Sequence, residues 1–249
     1  FPHTFFSPVL TYSSFTANLR MFDVIGFDAD DTLWHNESIF TMTQEKFREI
    51  LSSHGPEVVD QTLSSTQIKN LKIFGYGIKG FILSMIETSI EITDGEIQGN
   101  EIQQILDFGR EMLAAPIELL PYVQEVVDEL SKKYRLLLIT KGDLIDQETK
   151  IARSGLADYF TGVEIVSDKN SETYEKILSR HDIAASRFIM IGNSMRSDIV
   201  PVVQIGGHAV HIPYYTTWDH EQKHPYIDPK NFKQLKHIGL LPGLIEEMR

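Results

Sequence analysis

"VIGFDADDTLWHNE", residues Val24 to Glu37, joins an apolar run to a cluster of carboxylates. Val24 to Phe27 read as a short strand driven into a core. Asp28, Asp30 and Asp31 follow within four residues. Like charges that close repel, and taking each out of water costs several kcal/mol. A divalent cation is the first candidate to offset that cost. The plainer reading is a solvated Asp-rich turn that caps a helix, and Asp31 taken alone fits such a turn or cap role.

Further apolar runs extend the pattern outward. "DVIGF" (Asp23 to Phe27), "RLLLIT" (Arg135 to Thr140), "GVEIV" (Gly162 to Val166), "RFIMIG" (Arg187 to Gly192) and "HAVHI" (His208 to Ile212) all read as strands. Most are continuously apolar rather than alternating, as strands covered on both faces are. Helical stretches lie between the later ones. In "PYVQEVVDELSKKY", Val123, Val126, Val127 and Leu130 fall at helical spacing after Pro121. In "SETYEKILSR", Tyr174, Ile177 and Leu178 share a face. This alternation predicts a doubly wound parallel α/β sheet.

The interval between the first two strands breaks the alternation. Residues 38–115 read as about four helices, interrupted at Gly55-Pro56, Gly75-Tyr76-Gly77 and Asp94-Gly95. That is too long for a crossover, so an inserted all-helical unit with its own small core is expected over one end of the sheet. Residues 21–37 and 116–249 then form the α/β core. Residues 1–20, which precede the first Met at Met21, are expected to be an extension. They hold no acid and one Arg, and lack the basic start and long apolar stretch of a secretory signal.

The totals narrow the classes. The chain has 249 residues and a formal net charge of -12, which argues against nucleic acid as a partner. No apolar run is long enough to span a bilayer, so no membrane partner is expected. There is no cysteine, which excludes disulfides and thiolate metal sites and is compatible with a reducing, cytoplasmic setting. Nothing in the sequence speaks to oligomeric state.

In an open parallel sheet, ligands bind beyond the carboxyl ends of the strands. The first strand leads into Asp28, Asp30 and Asp31. The second ends in Thr140, followed by Lys141-Gly142-Asp143. The third leads into Ser167, Asp168 and Lys169. The fourth leads into Gly192, Asn193, Ser194 and, one turn on, Asp198. These parts suit phosphoryl transfer. Asp28 and Asp198 can share Mg²⁺, which takes one or two carboxylates plus phosphate and water. A carboxylate can then attack phosphorus to give an aspartyl-phosphate. Thr140 and Lys169 would stabilise the charge on the transferring group. Asp30 is placed to protonate a leaving alkoxide and later to deprotonate water.

Taken together, "DADDTL" resembles the first motif of the haloacid dehalogenase superfamily, D-x-D-x-T. "LLLITKGD" resembles its second motif, Lys169 its third and "IGNSMRSD" its fourth. The resemblance runs from Met21 to about Ile212. It implies a Rossmann-like core, Mg²⁺, Asp28 as nucleophile and Asp30 as acid/base, with the Asp30 carbonyl also on the metal. The helical insertion resembles the family's C1 cap. Two departures stand out. Asn193 occupies a place where the family usually has an acid, and is expected to reach the metal or to orient a metal-bound water. Lys141 occupies a place where neutral Asn is common, and adds charge near the phosphate.

Asp30 favours a phosphatase of small phosphorylated metabolites over a 2-haloacid dehalogenase, because halide needs no proton to leave. A phospho-accepting or binding domain without turnover is the rival from another class. Receiver domains also combine acids, Thr and Lys on such a sheet, but at about half this length and without the insertion. Tyr76 and Lys79 are expected to contact substrate from the cap, with Trp34 at its rim. They extend a phosphate and substrate set of Thr140, Lys141 and Lys169. Two other motif matches are set aside. "GYGIKG" (Gly75 to Gly80) fits G-x-G-x-x-G but lacks the preceding strand that a dinucleotide site needs. "HEQKH" (His220 to His224) fits the zinc pattern, yet Pro225 ends any helix at once. His208 and His211 read as structural.

Overall fold

The structure is a computed structural model that describes residues 21–215 and 231–248. Six strands, β1 (Val24–Phe27), β2 (Arg135–Lys141), β3 (Gly162–Val166), β4 (Phe188–Gly192), β5 (His208–His211) and β6 (Phe232–Gln234), form one sheet. Its order is β3-β2-β1-β4-β5-β6, and every pairing is parallel. The chain builds outward from β1 through β2 and β3, then returns to β4 and builds the other way. The reversal therefore falls between β1 and β4, where a doubly wound sheet opens a crevice at its carboxyl edge.

Alternate residues explain the continuous apolar runs. Ile25, Phe27, Leu138 and Ile191 face one layer with Val123 and Val127. Val24, Leu137, Ile139 and Met190 face the other with Tyr174 and Ile177. Both faces are covered, and removal of this apolar surface from water drives the layers together. Gly26 is required by the closeness of β4, since a Cβ there would meet the Phe188 ring at 2.5 Å.

Four helices separate β1 from the rest: α1 (Glu37–Ile50), α2 (Pro56–Phe74), α3 (Ile78–Ile92) and α4 (Gly99–Ala114). They form the helical cap and bury Phe47, Leu63, Phe81, Met85 and Ile105 in a cluster of their own. Their breaks fall at the expected glycines. Gly75 (φ 71°) and Gly77 (φ 116°) hold backbone conformations that side chains resist, which ends α2 and turns the chain into α3. The "GYGIKG" segment is thus a helix break, with no strand before it.

The remaining helices are α5 (Val123–Ser131), α6 (Leu144–Ser154), α7 (Ser171–Arg180), α8 (Val200–Gln204) and a closing helix Leu241–Glu247. Two features differ from the sequence expectation. β6 was not expected, because Phe-Lys-Gln is short and mostly polar. The turn holding Asp198 is a π-helical segment, Met195–Ile199, rather than an ordinary helix start. Such wide turns recur at functional sites. "HEQKH" lies outside the described residues.

Candidate active site

Asp28 leaves β1 with its backbone N–H donating to Ile191 O of β4 at 2.9 Å, so it stands at the crevice between the two strands. It is 6% exposed. Lys169, three residues beyond β3, donates to Asp28 Oδ1 at 2.5 Å and to Asp198 Oδ1 at 2.7 Å. Two carboxylates from remote parts of the chain therefore meet on one buried ammonium. Their oxygens lie no farther apart than those two bonds laid end to end. Burial and the Asp198 charge raise the Asp28 carboxyl to about 7, against the pull of Lys169. Burial pushes the Lys169 ammonium down, but the two carboxylates outweigh it and its pKa is raised.

Asp198 reaches this point because residue 192 is glycine. A Cβ on Gly192 would meet the Asp198 carboxyl carbon at 2.3 Å. The Ser194 N–H donates to Asp198 Oδ2 at 3.0 Å, and Ser194 Oγ accepts from the Ser197 N–H at 3.0 Å, so the π-helical turn is capped by the residue that precedes it. Thr32 donates to Asp28 Oδ2 at 2.9 Å and lies 3.3 Å from Asn193 Oδ1. One hydroxyl has one proton, and the shorter, charged contact takes it. Thr32 was not among the expected site residues, though it is the Thr of D-x-D-x-T.

Asp30 turns toward α6. Trp34 Nε1 donates to its Oδ1 at 2.7 Å and Gln147 Nε2 to its Oδ2 at 2.8 Å. Lys150 Nζ lies 3.2 Å from both oxygens and donates to Asn36 Oδ1 at 2.8 Å. Burial lowers the Lys150 pKa, but Asp30 and Asp146 outweigh it and the net shift is upward. Gln147 and Lys150 went unanticipated, since helical periodicity gives them only a polar face.

Trp34 is a correction. It is fully buried beneath Asp30 and is not a rim residue. Its ring packs into the apolar cluster with Phe27 and Leu33. Lys79 also departs from expectation. Its Nζ reaches both Asp143 oxygens at 3.0 Å, and it does not line the cleft. Helix geometry at the start of α3 directs it to the β2 loop instead. Tyr76 does line the cleft, with the Lys141 ammonium 4.1 Å from its ring centre. Lys141 also donates to Ser197 Oγ at 2.8 Å. Thr140 is buried at the cleft floor and donates to Gln147 Oε1 at 3.3 Å. Asn193 lines the same cleft, which encloses about 220 Å³ between cap and sheet. His208 packs edge-on against Phe22 and His211 meets Asn193 O at 2.9 Å.

Among the described residues no three His, Cys, Asp or Glu side chains gather around a common point. The donors at the Asp28–Asp198 point are two carboxylates beside neutral oxygens. That set fits a hard cation such as Mg²⁺, which keeps several waters, and does not fit zinc.

A family model described as haloacid dehalogenase-like hydrolase matches residues 22–206. The crystal structure of a haloacid dehalogenase-like family hydrolase from Xanthomonas campestris superposes with a TM-score of 0.83 and 40% identity, covering 93% of each chain. The L-2-haloacid dehalogenase of Xanthobacter autotrophicus has the same fold, with a TM-score of 0.65 at 15% identity over 92% of this chain and all of that one. Glyceraldehyde 3-phosphate phosphatase of Pyrococcus abyssi is 25% identical over an alignment of 207 positions that covers 78% of this chain and 82% of that protein. The matched span runs from before β1 to beyond the Asp198 turn, and with it this chain belongs to the haloacid dehalogenase-like hydrolases.

Proposed function

We propose that this hydrolase cleaves a small phosphomonoester, with Asp28 as nucleophile and Mg²⁺ as cofactor. The observation that carries the reading is the convergence of Asp28, Lys169 and Asp198 on one buried point. The three arrive from the ends of β1, β3 and β4. The phosphatase name of the 25% identical relative supports the same class.

Asp28 attacks phosphorus and displaces the alcohol. Asp30 gives the leaving oxygen its proton, then takes one from the water that hydrolyses the aspartyl-phosphate. Trp34, Gln147 and Lys150 hold Asp30 in its place for both steps. Thr140 and Lys169 hydrogen-bond the phosphoryl oxygens, with Lys141 beside them on the core and Tyr76 facing it from the cap. Mg²⁺ held by Asp28, the Asp30 carbonyl and Asp198, with Asn193 on it or on its water, would offset the paired carboxylates and polarise the phosphoryl group. Asp30 separates this reading from carbon–halogen cleavage, which needs no proton donor.

The test is repeated release of phosphate from p-nitrophenyl phosphate with Mg²⁺. Turnover is expected to stop with EDTA and return with added Mg²⁺. Asp28→Asn is expected to keep less than about a tenth of the activity with the circular-dichroism spectrum unchanged. Single labelling without turnover, or full activity of the variant, would sink the reading.

A further inference from the structure

Asn70 lies in α2, is 3% exposed and lines the cap side of the cleft. Its neighbours fix which way its amide points. Nδ2 donates to Glu87 Oε2 at 2.8 Å and to Ser84 Oγ at 3.2 Å. A carboxylate only accepts. The Ser84 hydroxyl gives its own proton to Gly80 O at 2.7 Å, so it too meets Asn70 as an acceptor. Glu87 is held in turn by Lys69 at 2.8 Å. Exchanging the amide nitrogen and oxygen would set acceptors against acceptors. Both amide hydrogens are therefore committed, and Asn70 Oδ1 is an acceptor without a donor among the described residues. That oxygen is open to the cleft, where a ligand can donate to it in place of water.

The charge of the wall adds a second constraint. The cap side presents Gln44, Gln67, Asn70 and Ser84 between Phe40 and Phe81, and no Lys, Arg or His of residues 38–115 lines the cleft. The cations on the core side are Lys141, Lys150 and Lys169; Lys150 is engaged by Asp30, Asp146 and Asn36, and Lys169 by Asp28 and Asp198. A second anionic group reaching into the cap would lose its water without meeting a counter-charge.

We infer that the substrate is a phosphomonoester whose organic half is a short, uncharged chain. A hydroxyl on that chain donates to Asn70 Oδ1, and esters that also carry a carboxylate or second phosphate are rejected. This rests on the phosphatase reading and names its substrate class.

The experiment compares phosphate release from glycerol 1-phosphate, propyl phosphate and 3-phosphoglycerate, with p-nitrophenyl phosphate as control. Glycerol 1-phosphate is expected to exceed propyl phosphate in kcat/KM by about 10-fold or more, and 3-phosphoglycerate by about 100-fold. Turnover of p-nitrophenyl phosphate together with equal or better use of 3-phosphoglycerate overturns the inference and leaves the phosphatase reading standing. Equal use of glycerol 1-phosphate and propyl phosphate overturns the role of Asn70. No release from any of the four overturns the phosphatase reading and this inference with it. Asn70→Leu should bring the glycerol-to-propyl ratio near one, and an unchanged ratio refutes it. Because that variant also removes the amide donor to Glu87 and Ser84, Gln67→Lys at a half-buried lining position gives a second measure. It should shift selectivity about 10-fold toward 3-phosphoglycerate, and no shift overturns the charge argument.

Discussion

Asp31 holds φ at 61°, a left-handed conformation that Asp tolerates better than most residues. Its Oδ1 accepts from the Asn36 N–H at 2.8 Å and the Glu37 N–H at 3.0 Å, which ties the carboxylate cluster to the start of α1. Burial nevertheless raises its carboxyl from 3.8 to about 8, because those donors return less than the water removed. A carboxyl that binds its proton more tightly when folded stabilises the fold fully below the unfolded value. That stability is lost as pH rises toward about 8. Asp31→Asn removes the titration while its amide oxygen still accepts the two backbone donors. The variant's stability relative to wild type should therefore rise by at least about 1 kcal/mol between about pH 5 and pH 8 in urea melts. A flat or falling difference would show Asp31 to be ionised throughout. At this scale the sequence is legible where a polar residue ends an apolar run. Asp28 and Thr140 stand so, while Lys169 and Asp198 lie farther beyond the strands and are legible only by their place in the series of motifs. Thr32, Gln147 and Lys150 are legible in neither way, because their partners lie across the fold and no periodicity records a partner. Trp34 shows the converse: proximity to the motif suggested a rim, while the ring packs in the core cluster and its N–H serves Asp30.

α6 is the element that turns a general polar helix into part of the site. Asp143 caps it by accepting from the Asp146 N–H at 3.1 Å. The helix then sets Gln147 and Lys150 three residues apart, on one face over Asp30. Asp30 matters most when the leaving group is a poor one that needs its proton. Lys150→Met should therefore lower kcat for an alkyl phosphate by about 10-fold more than for p-nitrophenyl phosphate. An equal loss for both would make Lys150 structural only, since unpairing the buried Asp30 and Asp146 also costs stability. Elements were readable in proportion to their burial. The four strands β1, β2, β4 and β5 are covered on both faces, and their apolar runs stand out. β6 carries Phe-Lys-Gln on the edge, where burial imposes little. The π-helical turn at Met195–Ile199 depends on the missing Cβ of Gly192 and the Ser194 cap, a geometry that sequence spacing leaves open.

The whole molecule holds apolar clusters that do not share residues. Two lie on the faces of the sheet, and the third lies among α1 to α4. The cap meets the β2 loop through Lys79 with Asp143 and through Tyr76 with Lys141. The first of these pairs is half exposed, and exposed pairs contribute at most about 1 kcal/mol. Stability of the cap thus rests on its own cluster rather than on the core beneath it. Met85 is fully buried at the centre of that cluster. Met85→Ala removes contacts worth about 2–5 kcal/mol at such a position. If the cap is a separate cooperative unit, the loss stays within it. Hydrogen exchange should then quicken for the amides of α2 and α3 while β1, β2 and β4 keep their protection. Equal loss of protection in strands and cap would mean that the two unfold together. The distinction bears on chemistry, because a cap that opens alone can admit substrate and release product without disturbing the carboxylates that Lys169 joins.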